Sequence, residues 1–149
     1  MTLRWLLASL HLLALGIGVG AIAVRARALH RASQPADLAG AFVADNFWGV
    51  SGLLFLVTGL WRAFGGIEKG TAYYLDNPLF HAKLGLFVLV LLLEVWPMVV
   101  LIRWRNAVRR AAPVDLTGTR TFARISYLQL AVVLTMLFLA TAIARGISP

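Results

Sequence analysis

Residues 79–102 read LFHAKLGLFVLVLLLEVWPMVVLI and contain only three ionisable side chains, His81, Lys83 and Glu94. A helix needs about 20 apolar residues to cross the roughly 30 Å hydrocarbon core of a bilayer, and this stretch is long enough. A helix also satisfies its own backbone hydrogen bonds, as lipid requires. The stretch therefore predicts a membrane-spanning helix.

Three further apolar runs of similar length occupy residues 5–24, 47–64 and 125–144. The chain is 60% hydrophobic and only 13% charged, whereas soluble domains carry about 25% charged residues. This composition excludes a disordered tail, a coiled coil and an ordinary soluble enzyme. We predict an all-α, integral membrane four-helix bundle that forms a single transmembrane domain over residues 1–149. The first run is longer than a signal-peptide core and is predicted to be retained.

The positive charge of the chain is concentrated at the ends of the apolar runs. The net charge is +8, but this placement is typical of the positive-inside rule and argues against nucleic-acid binding. Nine of the 14 basic residues flank the first or third connection: Arg25, Arg27, Arg31, Arg103, Arg105, Arg109, Arg110, Arg120 and Arg124. The pattern predicts a bacterial inner membrane protein with these loops cytoplasmic and both termini periplasmic.

The chain has no cysteine, which excludes disulfides, thiolate metal sites and covalently attached haem. Only His11, His30 and His81 remain as strong ligands for haem or a soft metal. His30 lies among arginines and is predicted at the surface. His11 lies inside the first span, with Gly18 and Arg25 on the same helix face. It is either a hydrogen-bonded packing residue, a proton carrier or an axial haem ligand with room for a flat macrocycle.

His81 opens the third span two residues before Lys83. It is either an interfacial histidine beside a snorkelling lysine or a second haem ligand, with Lys83 available to a carboxylate. Counted from the cytoplasmic arginines, His11 lies about 21 Å and His81 about 33 Å along its helix. This difference of about 12 Å leaves open whether the two histidines share one site.

The second span carries a polar and glycine-rich face formed by Asp45, Gly49, Gly52 and Gly59. Lipid offers such a face no partner, so it is expected to face another helix or a planar ligand. Arg62 follows near the outer end of the same span and would bind a haem propionate, Glu68 or a lipid phosphate.

Glu94 lies in the middle of the third span, where an ionised carboxylate is costly. Lys83 projects from the same face but lies about 16 Å away along the axis, so Glu94 is neutral, bonded across the bundle, or facing a polar cavity. Without a partner it would stay protonated, and Glu94→Gln would then be tolerated. Pro97 is expected to kink the helix nearby. Glu94 is the candidate catalytic residue, for proton transfer.

The connection of residues 65–78 is either a short surface loop or a lid over an outer site. It ends in Asn77, a good N-cap, and Pro78, which suits the first helical position. The third helix is therefore predicted to begin there.

Several segments resemble known families. Leu10-His11, Arg25 and His30, residues 79–84 (LFHAKL) and residues 120–125 (RTFARI) are similar to HemJ-type protoporphyrinogen oxidases, small bacterial membrane proteins with haem b. The chain departs from those oxidases at residues 44–46 (ADN) and 94–97 (EVWP). Residues 44–49 (ADNFWG) and 68–74 (EKGTAYY) resemble more closely a family of predicted bacterial membrane proteins, domain of unknown function 2214.

The resemblance to the oxidases implies a haem b cofactor between the helices and a role in electron transfer or porphyrin redox chemistry. His11 and His81 would be the metal ligands, Arg62 and Lys83 the propionate partners, and Gly18 and Gly52 would give space. The partners would be the lipid bilayer and a quinone or porphyrin. Two other hypotheses stay open: a cofactor-free scaffold or complex subunit, and a small proton-coupled carrier that works as a homo-oligomer.

Overall fold

The computed structural model describes residues 2–66 and 69–147. The described chain is all-α, and four of its helices are long and apolar enough to cross a membrane. The elements are α1 (Thr2–Arg31), a 3-10 turn (Pro35–Leu38), α2 (Ala39–Phe64), the short α3 (Thr71–Leu75), α4 (Pro78–Arg109) and α5 (Thr119–Ala144). The predicted all-α bundle of four membrane-spanning helices is confirmed.

The helices extend beyond the apolar runs that predicted them. The helix α1 continues to Arg31, α2 begins at Ala39 and α5 begins at Thr119. A drop in hydropathy marks where a helix leaves the apolar layer of the membrane. The hydrogen-bonded helical backbone continues past that point in these three helices. The expectation that Arg25 lies in a basic loop is wrong, because Arg25 is inside α1 and fully buried.

The start of α4 follows the sequence prediction. The side chain of Asn77 accepts a hydrogen bond from the Leu79 backbone N–H at 2.9 Å, and Pro78 is the first helical residue. The preceding connection is attached to the end of α5, because Lys69 Nζ and the Tyr73 hydroxyl both donate to the Ile143 carbonyl. The suggested pairing of Arg62 with Glu68 lies outside the described residues.

The helices pack in the order α2, α1, α5, α4, and α2 and α4 approach each other at only a few points. The end of the bundle that carries the arginine-rich connections is closed by an apolar core with Leu29, Leu38, Leu101, Trp104 and Phe122 at its centre. Beyond this core, the separation of α2 from α4 leaves a cleft. Large apolar side chains cover the outer surface, as expected for helices that face lipid.

Candidate functional site

A buried arginine joins all four long helices. The side chain of Arg25 has no solvent exposure, and each of its five N–H donors makes a hydrogen bond. The acceptors are Ser126 Oγ (3.2 Å), Asp45 Oδ1 (2.8 Å), Glu94 Oε1 (2.6 Å), Glu94 Oε2 (2.7 Å) and Gln129 Oε1 (2.8 Å). Arg25 on α1 thereby binds side chains from α2, α4 and α5.

Glu94 is bonded across the bundle. Besides the two bonds from Arg25, its Oε2 accepts from Trp48 Nε1 at 3.0 Å and from Gln129 Nε2 at 2.9 Å. A fork of two N–H donors on two carboxylate oxygens is the geometry of a charge-assisted pair. Of the three alternatives predicted for Glu94, the structure shows bonding across the bundle, with Arg25 as the main partner. The condition for a protonated Glu94, the lack of a partner, is therefore not met.

A second arginine balances the charge of this cluster. Arg105 Nη2 lies 3.6 Å from Asp45 Oδ2, and Arg105 also donates to Asn46 Oδ1 and to the Phe42 carbonyl, each at 2.9 Å. Arg25, Arg105, Asp45 and Glu94 together carry no net charge, which is what burial of ionised groups requires. We call these four residues the ionic cluster.

A cavity of about 890 Å³ lies between the four long helices and includes the gap between α2 and α4. This volume is in the range of small-molecule and cofactor sites. Six of the predicted site residues line it: His11, Gly18, Gly52, Arg62, Lys83 and Glu94. Asp45, Gly49 and Gly59 also line it, so the glycine-rich face of α2 is turned toward the cavity.

His11 is held in one orientation on the cavity wall. Its Nδ1 lies 2.9 Å from Thr58 Oγ1, and the Thr58 hydroxyl donates to the Leu54 carbonyl at 2.6 Å. Because Thr58 has given its only hydrogen, it accepts from His11 Nδ1–H, and Nε2 of the neutral ring keeps its lone pair. The imidazole stacks on Phe55, with ring centroids 4.0 Å apart.

The glycines near the cavity have different roles. A Cβ at Gly59 would lie 3.1 Å from His11 Cε1, so Gly59 makes room for the imidazole. A Cβ at Gly52 would meet no heavy atom within 4 Å, so Gly52 contributes open space. A Cβ at Gly18 would touch the side chains of Ser51 and Trp48 at 3.4 and 3.5 Å. Gly18 therefore makes room for Trp48 as well as lining the cavity.

The end of the cavity away from the arginine-rich connections, which we call the outer end, carries the cations Arg62 and Lys83, and we call the opposite end the inner end. Lys83 Nζ lies 5.7 Å from the centre of the Phe55 ring, which stacks on His11, and Arg62 lies one turn beyond Thr58 on α2. Among the described lining residues the only carboxylates are Asp45 and Glu94, which belong to the ionic cluster at the other end. The two ends of the cavity therefore differ in their charged side chains: cations line one end, and residues of the ionic cluster line the other.

His81 does not line this cavity. Its side chain is exposed, and its Nε2 lies 2.7 Å from the Leu75 carbonyl. Because Arg25 pairs with Glu94, His11 and His81 lie at nearly equal depths, about 21 and about 20 Å from the pair. The predicted mismatch of about 12 Å is wrong, since α1 continues as a helix past Arg25. The two histidines therefore lie at similar depths, but the His11 side chain lines the cavity and the His81 side chain lies on the outside of the bundle.

Sequence reasoning missed several partners in the site. Ser126 and Gln129 are fully buried polar residues three positions apart in α5, and polar side chains within a span are themselves a signal of interhelical bonding. Thr58 is likewise a buried polar residue within a span, in α2, and it gave the same signal of interhelical bonding. His30 is exposed, as predicted. Within residues 2–66 and 69–147, no three His, Asp or Glu side chains form a cluster that could hold a metal ion.

The fold and the cavity define a four-helix membrane protein with an ionic cluster inside an otherwise largely apolar bundle. The chain belongs to a family described as predicted membrane protein (DUF2214), which matches residues 3–148. No match was found among curated proteins, and none among solved structures. The resemblance to HemJ-type oxidases gains no support from these comparisons and stays a prediction.

Proposed function

We propose that this protein binds haem b in the outer half of the cavity and acts in electron transfer within the membrane, with His11 as the iron ligand. The observation that carries the proposal is the state of His11. Its imidazole is buried on the wall of a large cavity, Thr58 fixes Nδ1–H, and Nε2 is left as a ligand atom. Histidine ligands in metal sites have this arrangement, in which a partner of the second nitrogen fixes the ring.

The surroundings of His11 suit an anionic, largely apolar cofactor. Phe55 and Phe87 supply aromatic wall on one side, and Val133 and Met136 supply aliphatic wall from α5. Arg62 and Lys83 would bind the two propionates, because both are cations that line the same half of the cavity as His11. When bound, haem supplies one-electron redox chemistry.

The ligand set in this proposal is His11 alone. His81 is bonded to the connection before α4, and its side chain lies outside the cavity. Glu94 serves to hold the helices together in this account, since Arg25, Trp48 and Gln129 occupy its oxygens. A proton-coupled carrier would need a carboxylate that gains and loses its proton easily, which a bidentate arginine partner opposes.

The test is the absorption spectrum of the purified protein, oxidised and then reduced. We expect Soret and α bands of haem b in the wild type, their loss in His11→Ala, and their retention in His81→Ala. The His81 variant is a matched control, because it removes the same side chain from the outside of the bundle. A protein spectrum without haem bands, or equal bands in the wild type and His11→Ala, would favour the cofactor-free scaffold.

A further inference from the structure

The cavity extends well beyond His11. Lys83 at the outer end and Glu94 at the inner end are separated by about 16 Å along α4. The outer end carries Arg62 and Lys83, whereas the inner end carries the balanced charges of the ionic cluster. Because the charges at the inner end already balance, that end suits a neutral group.

The inner end has hydrogen-bonding capacity that the protein does not use. Asp45 Oδ2 has Arg105 Nη2 as its charged neighbour at 3.6 Å, which is beyond an ordinary hydrogen bond. The Nε–H of Arg105 is buried with no acceptor among residues 2–66 and 69–147. Buried donors without partners are uncommon and costly in native proteins. Asp45 lines the cavity, so its Oδ2 is an acceptor that a bound ligand can use. The Nε–H of Arg105 has no accessible surface, so a ligand reaches it only after a shift of the Arg105 side chain.

The walls of the inner half suit a flat ring with an apolar tail. Gly49 and Gly52 form the α2 side, where a Cβ would meet no heavy atom within 4 Å. Leu91 and Met98 form the α4 side. Because α2 and α4 are in contact at only a few points, the gap between them faces the bilayer. A lipid-soluble molecule would reach the ionic cluster through this gap.

We propose that the inner half of the cavity binds the ring of a lipid-soluble quinone or its quinol. A quinol hydroxyl would donate to Asp45 Oδ2. A quinone carbonyl would accept from the Arg105 Nε–H after a shift of the Arg105 side chain, which would give this buried donor a partner. A neutral head is required, because an anionic lipid head would add an uncompensated charge to a balanced buried cluster. A role of this site in electron transfer rests on the proposed haem function, whereas the binding of a quinone does not.

The experiment is photolabelling of the full chain in nanodiscs with an azido-ubiquinone, followed by mass spectrometry of the labelled peptides. Label is expected on the segments of α2 and α4 that face each other beside the ionic cluster. Excess decylubiquinone should remove it, and palmitate should not. Labelling of His11→Ala should equal that of the wild type, so failure of haem binding leaves this result unchanged.

Two glycine variants make the test specific. Gly49→Leu places a side chain in the inner half of the cavity, and Gly85→Leu places the same side chain at a position on α4 that meets no neighbour and does not line the cavity. We expect Gly49→Leu to reduce specific labelling about tenfold and Gly85→Leu to leave it unchanged, with both variants keeping the wild-type unfolding midpoint. Labelling that is equal in the two variants, spread over lipid-facing positions, or displaced by palmitate would overturn the proposal.

Discussion

Arg25 and Glu94, 69 residues apart in the sequence, are joined by two parallel hydrogen bonds of 2.6 and 2.7 Å. This pair ties α1 to α4, two helices that pack mainly against other neighbours. Asp45 on α2 and Gln129 on α5 complete the contact. The cavity is bounded at its inner end by this cluster, so the cluster fixes how far α4 stands from α2.

The first prediction concerns the buried arginine. Arg25→Met should destabilise the bundle by about 3–5 kcal/mol, because it leaves Asp45 and Glu94 without their shared cation. Arg27→Met is the matched control: Arg27 is exposed on the same helix, and its loss should change stability by no more than about 0.5 kcal/mol. Unfolding in a fixed detergent mixture measures both. Equal stability of the two variants would contradict the structural role of the cluster.

The second prediction concerns the Arg25–Glu94 pair itself. Glu94→Gln keeps the shape of the side chain but removes its charge, so it should lower the unfolding midpoint rather than be tolerated. In a double-mutant cycle with Arg25→Met, the coupling energy between the two positions should lie at the upper end of the usual range of about 0.5–3 kcal/mol. Additive effects would show that the two residues act independently.

The third prediction separates two glycines in the same cavity. A methyl group at Gly59 would crowd His11 Cε1 at 3.1 Å, whereas one at Gly52 would enter open space. Gly59→Ala should therefore shift the haem spectrum or lower haem content, and Gly52→Ala should leave both nearly unchanged. The reverse order would mean that the cofactor lies against Gly52 and that His11 is free to move.

The fourth prediction concerns orientation, for which the absence of cysteine in the chain is useful. Single cysteines at Thr71 and Ala112 lie in connections at opposite ends of the bundle. Intact bacterial cells treated with a membrane-impermeant maleimide should label Thr71→Cys, while Ala112→Cys should react only after permeabilisation. The opposite pattern would place the arginine-rich connections outside.

The fold could be read from the sequence to a large extent, because the bilayer imposes a minimum length and an apolar composition on each helix. The helix start at Asn77 and the glycine-rich face of α2 were also predictable, since both depend on local sequence. The end of α1 and the start of α5 were not, because those turns are polar and give no hydropathy signal. The start of α2 was missed because Asp45 and Asn46 separate the apolar residues 39–44 from the predicted run.

The site was predicted only in part. His11, Arg62, Lys83 and Glu94 were named because ionisable residues near a bilayer are rare, and all four line the cavity. The partner of Glu94 was missed because Arg25 stands among other arginines, and sequence alone could not show that it turns inward. The separation of His81 from the cavity depends on helix rotation, which no pattern in this sequence determines.

The central claim is that His11 is the protein ligand of a haem in this cavity. Titration of haemin into apoprotein in nanodiscs, followed at the Soret band, tests it most directly. We expect a saturable band that reaches one haem per chain in the wild type, the same curve for His81→Ala, and no saturable band for His11→Ala. Identical curves for the wild type and His11→Ala, or no saturable binding to the wild type, would contradict it.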